Sequence, residues 1–247
     1  MIREFAKKLL KYSGYELLGP ARAYALHQSL IALIRDQNIN LVLDVGANTG
    51  QFAGDLREAG YGGRIISFEP LSAAHQALLK HSEHDPNWTI AERTAVGAVT
   101  GSVDIHIAGN STSSSILEML PSHLDAAPQS KYIGVENVPV NRLDDICALT
   151  AADRVLLKID VQGYEKQVLE GAPQVLQSSR AVISEMSFFP LYDGQVLIEE
   201  VLGLLDSLGF DVWCIEPGYR VPETGRMLQV DGFFVRRAAS GASPREV

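Results

Sequence analysis

Short apolar runs rich in β-branched residues alternate with helical patterns along the chain from Leu41 onward. Such alternation is typical of βαβ units that build a mainly parallel sheet. Strands are predicted at residues 41–45, 64–68, 88–93, 155–160, 181–185, 211–215 and 232–236. Helices are predicted after Gly50 and at residues 72–82, 164–176 (interrupted at 171–173) and 196–208. The pattern therefore predicts an α/β protein with seven strands in one sheet.

Two stretches depart from this alternation. Residues 101–109 alternate apolar and polar like an additional β-ribbon, and residues 109–134 are rich in serine, proline and small residues, like a long loop. Loops of that length in compact domains are usually lids, binding loops or disordered segments. Residues 217–231, between the last two strands, are too few for a crossover helix, so we expect the last strand to be antiparallel.

The domain division follows from the same pattern. The predicted parts are an N-terminal helical segment 1–37, a main domain 38–237 and a polar, flexible tail 238–247. In the first part, Ile2, Phe5, Leu9 and Leu10 have the spacing of an amphipathic helix. This helix is expected to pack on the main domain, to pack on a second subunit of a homodimer, or to make weak contact with an anionic membrane surface. We expect neither a signal peptide nor a membrane span, since no apolar stretch is long enough.

Composition and charge narrow the class of protein. The 247 residues are 46% hydrophobic and 21% charged, which suits a soluble globular protein. Residues 1–36 hold six of the 21 basic and three of the 30 acidic residues, so the net charge of the rest is 15 minus 27, or -12. No nucleic-acid partner is expected, since binding phosphates needs a basic surface. Cys147 and Cys214 read as ordinary buried thiols, which suits a cytoplasmic location.

The segment "DVGANTG" places glycines directly after the first predicted strand. Glycines between a strand and a helix let a nucleotide-like ligand approach the main chain. The dinucleotide fingerprint G-x-G-x-x-G would need glycines where Asn48 and Gln51 stand, and no P-loop lysine follows Gly50. These departures disfavour an NAD-dependent oxidoreductase and a phosphate-cradling loop.

An acidic residue before the glycines suits a ligand with a cationic amino acid portion and no phosphate. S-adenosylmethionine is such a ligand, and Asp44 is expected to receive its ammonium directly or through water. Glu69, followed by Pro70, ends the second strand, where an acid can accept hydrogen bonds from both ribose hydroxyls. The loop with Thr94 after the third strand either flanks the adenine or is a plain surface loop. The predicted cofactor-binding residues are Asp44, Gly46, Asn48, Gly50, Glu69, Pro70, Thr94 and Asp160.

Three carboxylates are predicted at one edge of the sheet. Asp160 and Glu185 end parallel strands, and Asp231 starts an antiparallel one, so all three face the ligand-binding edge. Clustered acids suit a divalent cation, Mg²⁺ or Mn²⁺, that lowers the pKa of an acceptor hydroxyl while Asp160 or Glu185 acts in catalysis. The alternative is that these acids cap helices or bind Lys158 and Arg236.

The long loop and nearby aromatic residues supply candidates for the acceptor site. His123 lies in the loop, where a lid can bring its imidazole to the substrate as a catalytic group. The serines of the loop form either a linker or a hydrogen-bonding turn, and the aromatic residues either stack on a sugar or pack in the core. The predicted substrate contacts are Ser114, Ser115, Tyr164, Phe189 and Tyr192.

Taken together, the motifs "DVGANTG", "FEP", "RLDD", "LLKIDVQGYEKQVLEG" and "DGFFVRR" resemble the FkbM family of S-adenosylmethionine-dependent methyltransferases over about residues 38–237. The chain departs from the usual family pattern at Gln162, where glutamate is common, and at Arg93-Thr94, where an asparagine is common. The resemblance implies a Class I (Rossmann-like) fold and an O-methyltransferase of a small or carbohydrate-like hydroxyl.

The resulting prediction is a metal-assisted O-methyltransferase that uses S-adenosylmethionine on a saccharide-like small-molecule acceptor. Two alternatives remain at this point: an O-methyltransferase of a polyketide-type hydroxyl, and a non-catalytic protein that binds S-adenosylmethionine as a scaffold.

Overall fold

The computed structural model describes residues 20–221 and 224–238 of the chain. The predicted amphipathic helix of residues 2–12 and nearly all of the predicted tail lie outside the described residues. The helices are α1 (Pro20–Asp36), α2 (Gln51–Glu58), α3 (Ser72–Ser82), α4 (Pro121–Ala126), α5 (Leu143–Ile146), α6 (Glu165–Glu170), α7 (Pro173–Ser178) and α8 (Ile198–Ser207). The strands are β1 (Leu41–Val45), β2 (Arg64–Phe68), β3 (Trp88–Ile90), β4 (Ala95–Val96), β5 (Gly101–Ala108), β6 (Tyr132–Asn141), β7 (Val155–Ile159), β8 (Ser179–Ser187), β9 (Phe210–Pro217) and β10 (Gln229–Arg236).

The main sheet has seven strands in the order β3-β2-β1-β7-β8-β10-β9. Strands β3, β2, β1, β7 and β8 pair in parallel, whereas β10 runs antiparallel to both β8 and β9. The predicted fold class, with its antiparallel last strand, is therefore confirmed. The strand order reverses between β1 and β7, which is the position where open α/β sheets bind ligands.

A second sheet of three strands, in the order β4-β6-β5, packs beside the first. Its core consists of residues from the small sheet and from the start of α3, namely Leu71, Ala74, Ala95, Ile105, Val138 and Val140. The predicted ribbon at residues 101–109 forms β5, but the sequence pattern missed its partner β6. The third main-sheet strand also ends earlier than predicted, at Ile90, because the chain crosses to the small sheet, where Ala95 pairs with Val140.

The two faces of the main sheet differ at its carboxyl edge. On the face that α1 covers, alternate residues such as Val42, Leu156, Ile183 and Phe233 are apolar in the middle of their strands. Because side chains alternate between faces, the next residue on that face in each strand is polar or charged. These residues are Asp44, Lys158, Glu185 and Asp231, and Asp160 follows on the same side of β7. The sheet therefore carries a band of charge above an apolar core.

Candidate active site

The loop after β1 is shaped by backbone conformations that L side chains rarely adopt. Gly46, Asn48 and Gly50 have φ values of +79°, +48° and +93°. At Gly46 a Cβ atom would lie 1.8 Å from the main-chain oxygen of Asp160, so no other residue fits without displacing the loop after β7. Asn48 shares this left-handed conformation, which asparagine adopts more readily than most L residues. The loop thus exposes main chain between β1 and α2.

Glu69 lies at the end of β2 with its carboxylate beside this loop. One oxygen accepts the backbone N–H of Asn48 at 2.8 Å, and the other accepts that of Leu71 at 2.8 Å. Burial raises the pKa of Glu69 to about 7, although the two N–H groups and Lys158 act against this rise. Each oxygen keeps a lone pair for a further donor. The Asn48 side chain donates to the hydroxyl of Ser111 at 3.3 Å, so the small-sheet loop reaches the glycine loop.

A cavity of about 390 Å³ lies between the glycine loop, β2 and the loop after β7. Its size is typical of a small-molecule site. Six of the predicted cofactor residues line it: Gly46, Asn48, Glu69, Pro70, Thr94 and Asp160. Gly50 lies behind the wall, against Leu78 and Trp88. The cavity continues from Glu69 to the charged band, where Asp231 also lines it.

Asp44 does not line this cavity, contrary to the expectation that it receives the ammonium of a ligand. Its carboxylate is fully buried and lies 3.0 Å from Nζ of Lys158. The same Nζ donates to the main-chain oxygen of Gly46 at 2.9 Å and lies 3.9 Å from the carboxylate of Asp160. Burial alone would lower the pKa of Lys158, but Asp44 and Asp160 raise it above its usual value. The cation beside Asp44 therefore belongs to the protein itself.

The predicted carboxylate edge forms, with Glu185 and Asp231 inside their strands rather than at the ends. They are register partners of the antiparallel β8–β10 pair, so their side chains share one face. Like charges at such positions repel. Burial and the nearby carboxylate of Asp160 raise the pKa of Asp231 to about 7, and burial together with Asp160, Glu165 and Asp231 holds that of Glu185 well above its ordinary value.

The predicted metal site does not fit this geometry. Among the described residues, no group of three or more His, Cys, Asp or Glu side chains has an arrangement that could hold a metal ion. The cationic position is taken by Lys158, and Glu185 accepts amide hydrogens from Gln162 at 2.8 Å and Gln229 at 2.7 Å. Charge in the band is balanced by a lysine, raised pKa values and amide donors instead of Mg²⁺ or Mn²⁺.

Three of the predicted substrate residues line the cavity: Ser114, Ser115 and Tyr164. The hydroxyl of Ser115 donates to the main-chain oxygen of Gln162 at 2.7 Å and accepts the N–H of Leu117, while Ser114 accepts the N–H of Ala108 at 3.0 Å. The serines therefore form a hydrogen-bonded turn, not a linker.

The other three loop and aromatic candidates lie outside the cavity wall. His123 is buried, its ring packs edge-on against Tyr192 at 5.1 Å between centroids, and burial lowers its pKa to about 4. Tyr192 is a core residue whose hydroxyl reaches the side-chain oxygen of Gln162. Phe189 lies in a separate surface pocket, under the guanidinium of Arg226. His123 is consequently not placed to take a proton from a substrate.

Several residues that line the cavity are absent from the predicted site residues. Lys158, Gln162, Phe52, Ser111 and Thr112 all line the cavity. For Lys158 the sequence did contain a signal, because a lysine within the apolar strand "VLLKI" needs a buried partner. In the structure that partner is Asp44, its register partner in β1. For Ser111 the sequence contained no such signal, because only the packing of the small sheet brings it to Asn48.

The sheet order, the reversed last strand, the glycine loop after β1 and the acid after β2 define a class I methyltransferase. Among solved structures, one provisionally assigned as an S-adenosylmethionine-dependent methyltransferase from Listeria monocytogenes matches with a TM-score of 0.51 at 11% identity, over 87% of this chain and 98% of that one. This likeness concerns the fold alone.

The family model described as the methyltransferase FkbM domain matches residues 44–212. The chain therefore belongs to the FkbM methyltransferase family, as the sequence motifs indicated. It is also 25% identical to the 2-O-methyltransferase NoeI of Sinorhizobium fredii over 213 residues, which are 83% of this chain and 84% of that protein. Family and fold together make it an S-adenosylmethionine-dependent methyltransferase. No helix among the described residues is both long and apolar enough to cross a bilayer.

Proposed function

We propose that this protein transfers the methyl group of S-adenosylmethionine to a hydroxyl of a saccharide-like acceptor. The observation that carries the proposal is that one cavity joins Glu69, at the end of β2, to Asp160 and Asp231 at the rim of the sheet. An acid suited to ribose hydroxyls and an acid suited to a substrate proton thus lie in the same site.

The cofactor end of the cavity fits an adenosyl group. Gly46 presents main chain without a Cβ atom, Glu69 keeps free lone pairs for two hydroxyl donors, and Pro70 and Thr94 supply the adjoining wall. Asp44 has no direct part in this binding, since Lys158 already neutralises it. When bound, the sulfonium supplies an electrophilic methyl group.

Asp160 is the proton acceptor that we propose. Its side chain is 41% exposed and lines the cavity, whereas Glu185 and Asp231 have raised pKa values that favour their protonated forms. As the bond between the acceptor oxygen and the methyl carbon forms, the carbon–sulfur bond breaks, and the hydroxyl proton passes to the Asp160 carboxylate. Lys158, 3.9 Å away, stabilises that carboxylate before the transfer. Glu185 acts through the amide of Gln162 rather than on the substrate.

The saccharide assignment is supported by the similarity to NoeI, named a 2-O-methyltransferase, and by the polar wall that Ser114 and Tyr164 give the cavity. Hydroxyl and phenol groups can exchange hydrogen bonds with the several hydroxyls of a sugar. A polyketide-type alcohol would use the same proton acceptor, so it is the second acceptor class to test.

The test combines binding with turnover. Calorimetric titration with S-adenosylhomocysteine should give saturable binding, and methyl transfer should occur on members of a panel of free glycans but not on polyketide-type alcohols. Asp160→Asn should keep the affinity for S-adenosylhomocysteine and lose about 10²- to 10⁴-fold in kcat. Binding without transfer to any hydroxyl would favour a scaffold protein, and an Asp160→Asn variant with full turnover would remove Asp160 from the proposal.

A further inference from the structure

Gln162, two residues after Asp160, links the loop after β7 to strand β8 through its side-chain amide. Nε2 donates to Oδ1 of Asp160 at 2.8 Å and to Oε2 of Glu185 at 2.8 Å. The side-chain oxygen lies 2.9 Å from the hydroxyl of Tyr192, whose single proton is shared between this oxygen and the main-chain oxygen of Ser113 at 3.1 Å. One neutral group therefore uses both of its N–H bonds and its oxygen.

These partners permit only one orientation of the amide. Oδ1 of Asp160 and Oε2 of Glu185, which also accepts an amide hydrogen of Gln229, both act as acceptors, so the NH₂ group must face them, and the phenol of Tyr192 then faces the carbonyl oxygen. Turning the amide over would place its oxygen against two carboxylates. Tyr192 is fully buried, so its hydroxyl is held by the core rather than by solvent.

The loop itself holds Gln162 in place. Its φ is +55°, a left-handed conformation that an L residue adopts only where other contacts enforce it. Glu165 accepts the N–H groups of Val161 at 3.2 Å and Gly163 at 3.0 Å, and Ser115 donates to the main-chain oxygen of Gln162. Contacts on both sides of the residue thus maintain this backbone.

We propose that Gln162 is a positioning residue for Asp160 in the methyl transfer, an inference that rests on the function proposed above. Its amide occupies Oδ1, which leaves Oδ2, on the side of Lys158, as the oxygen that meets the acceptor proton. The charged groups of this cluster are Lys158 from β7, Asp160 from the loop after β7, Glu185 from β8, Asp231 from β10 and Glu165 from α6. In this chain the group that bridges Asp160 and Glu185 is a neutral amide, and the glutamate that is common in the family at this position would add a further carboxylate to the cluster.

The decisive variant is Gln162→Glu, with Gln177→Glu as its control, because Gln177 is an exposed residue of α7 and gains the same charge. Gln162→Glu should keep the affinity for S-adenosylhomocysteine within about twofold and lose at least about tenfold in kcat. The loss should grow between about pH 5 and 8, because only the protonated glutamic acid can donate to Asp160. Unchanged kcat, or a loss that does not vary with pH, would overturn the inference.

A second variant decides the matter if Gln162→Glu does not fold. Tyr192→Phe removes the donor that orients the amide while keeping the packed ring, so kcat should fall about three- to tenfold with the KM for S-adenosylmethionine unchanged. A Tyr192→Phe enzyme with wild-type kcat would contradict the inference.

A third measurement separates this inference from the proposed function. The Tm of Gln162→Glu relative to wild type should fall as pH rises, whether or not an acceptor is known, because a further carboxylate ionises in the cluster. If the wild-type protein methylates no hydroxyl but this pH-dependent Tm difference is present, the proposed function fails while the amide bridge stands. If the Tm difference is absent, the bridge fails.

Discussion

The cavity has two ends that the protein builds by different means. At the cofactor end, Gly46, Asn48 and Glu69 act through main-chain geometry: left-handed φ values, a missing Cβ and N–H groups bound to a carboxylate. At the rim, Lys158 and its neighbouring acids act through charge, and Lys158, Glu185 and Asp231 interact with charged groups from other strands. The first end is set by local conformation and the second by long-range electrostatics.

The two ends of the cavity should therefore respond to different perturbations. Adding a Cβ atom should damage the cofactor end and leave the charge balance intact, whereas removing one charge should unbalance the rim. Buried ion pairs are costly to break because the remaining partner has no solvent to stabilise it. Substitutions at the two ends can therefore distinguish control by local conformation from control by charge.

Lys158→Met should have the largest effect on stability. It leaves Asp44 ionised and fully buried without a cation, which should lower the free energy of unfolding by about 3–5 kcal/mol in urea titrations. Asp44→Asn in the Lys158→Met background removes the stranded charge and should restore much of that loss. If the single variant is as stable as the wild type, charge does not control the rim.

Gly46→Ala should come next. The left-handed φ and the overlap of its Cβ with the Asp160 oxygen should cost about 2–3 kcal/mol of stability, and titration with S-adenosylhomocysteine should show at least about tenfold weaker binding. Gly62→Ala is the matched control, because no atom lies within 4 Å of a Cβ at that position. Equal behaviour of the two variants would mean that the glycine loop does not shape the cavity.

Asp231→Asn tests the electrostatics of the rim through pH. The pKa of Asp231 is raised from 3.8 to about 7, so the folded state holds the proton more tightly than the unfolded chain. Its contribution to stability is complete below about pH 4 and is lost as pH rises to about 7. The asparagine variant should lose less stability over this range, seen as a flatter Tm profile. A profile as steep as that of the wild type would contradict the raised pKa.

Chelation of divalent metal ions should have no effect on methyl transfer. Because Lys158 supplies the cation of the rim, methyl transfer should be equal with EDTA and with added Mg²⁺. A reproducible loss of turnover with EDTA, reversed by Mg²⁺, would show that the charge of Lys158 is not sufficient and would restore the metal hypothesis.

Much of the fold was predictable because its pattern is local. The alternation of strands and helices from Leu41 onward, and the short connection before β10, were enough to predict the main sheet and its reversed strand. Strand β6 was missed because Tyr132–Asn141 follows a serine- and proline-rich loop and is stabilised by pairing with β5, whose partner residues are 24 or more positions away. Pairing over such a distance leaves no periodic signal in a short window.

The residues of the candidate site likewise divide into those that a local sequence pattern predicts and those that long-range packing places. Gly46, Asn48 and Glu69 could be found from the sequence, because a glycine loop after a strand and an acid after the next strand are local features with one structural meaning. His123 lies outside the cavity wall, and its position in a loop gave no sign that its ring is buried against Tyr192.

The sheet, the glycine loop and the class of cofactor follow from the amino-acid sequence alone, because they depend on backbone conformations that neighbouring residues impose. How the charges of Asp44, Lys158 and the rim acids are balanced depends on the tertiary structure. Asp44 could serve a ligand or a lysine, and the acids Asp160, Glu185 and Asp231 could hold a metal or share an amide; the choice depends on which side chains meet across strands. Register and packing bring Lys158 to Asp44 and Gln162 to Glu185, and electrostatic energy at a few ångströms then fixes what the rim can do.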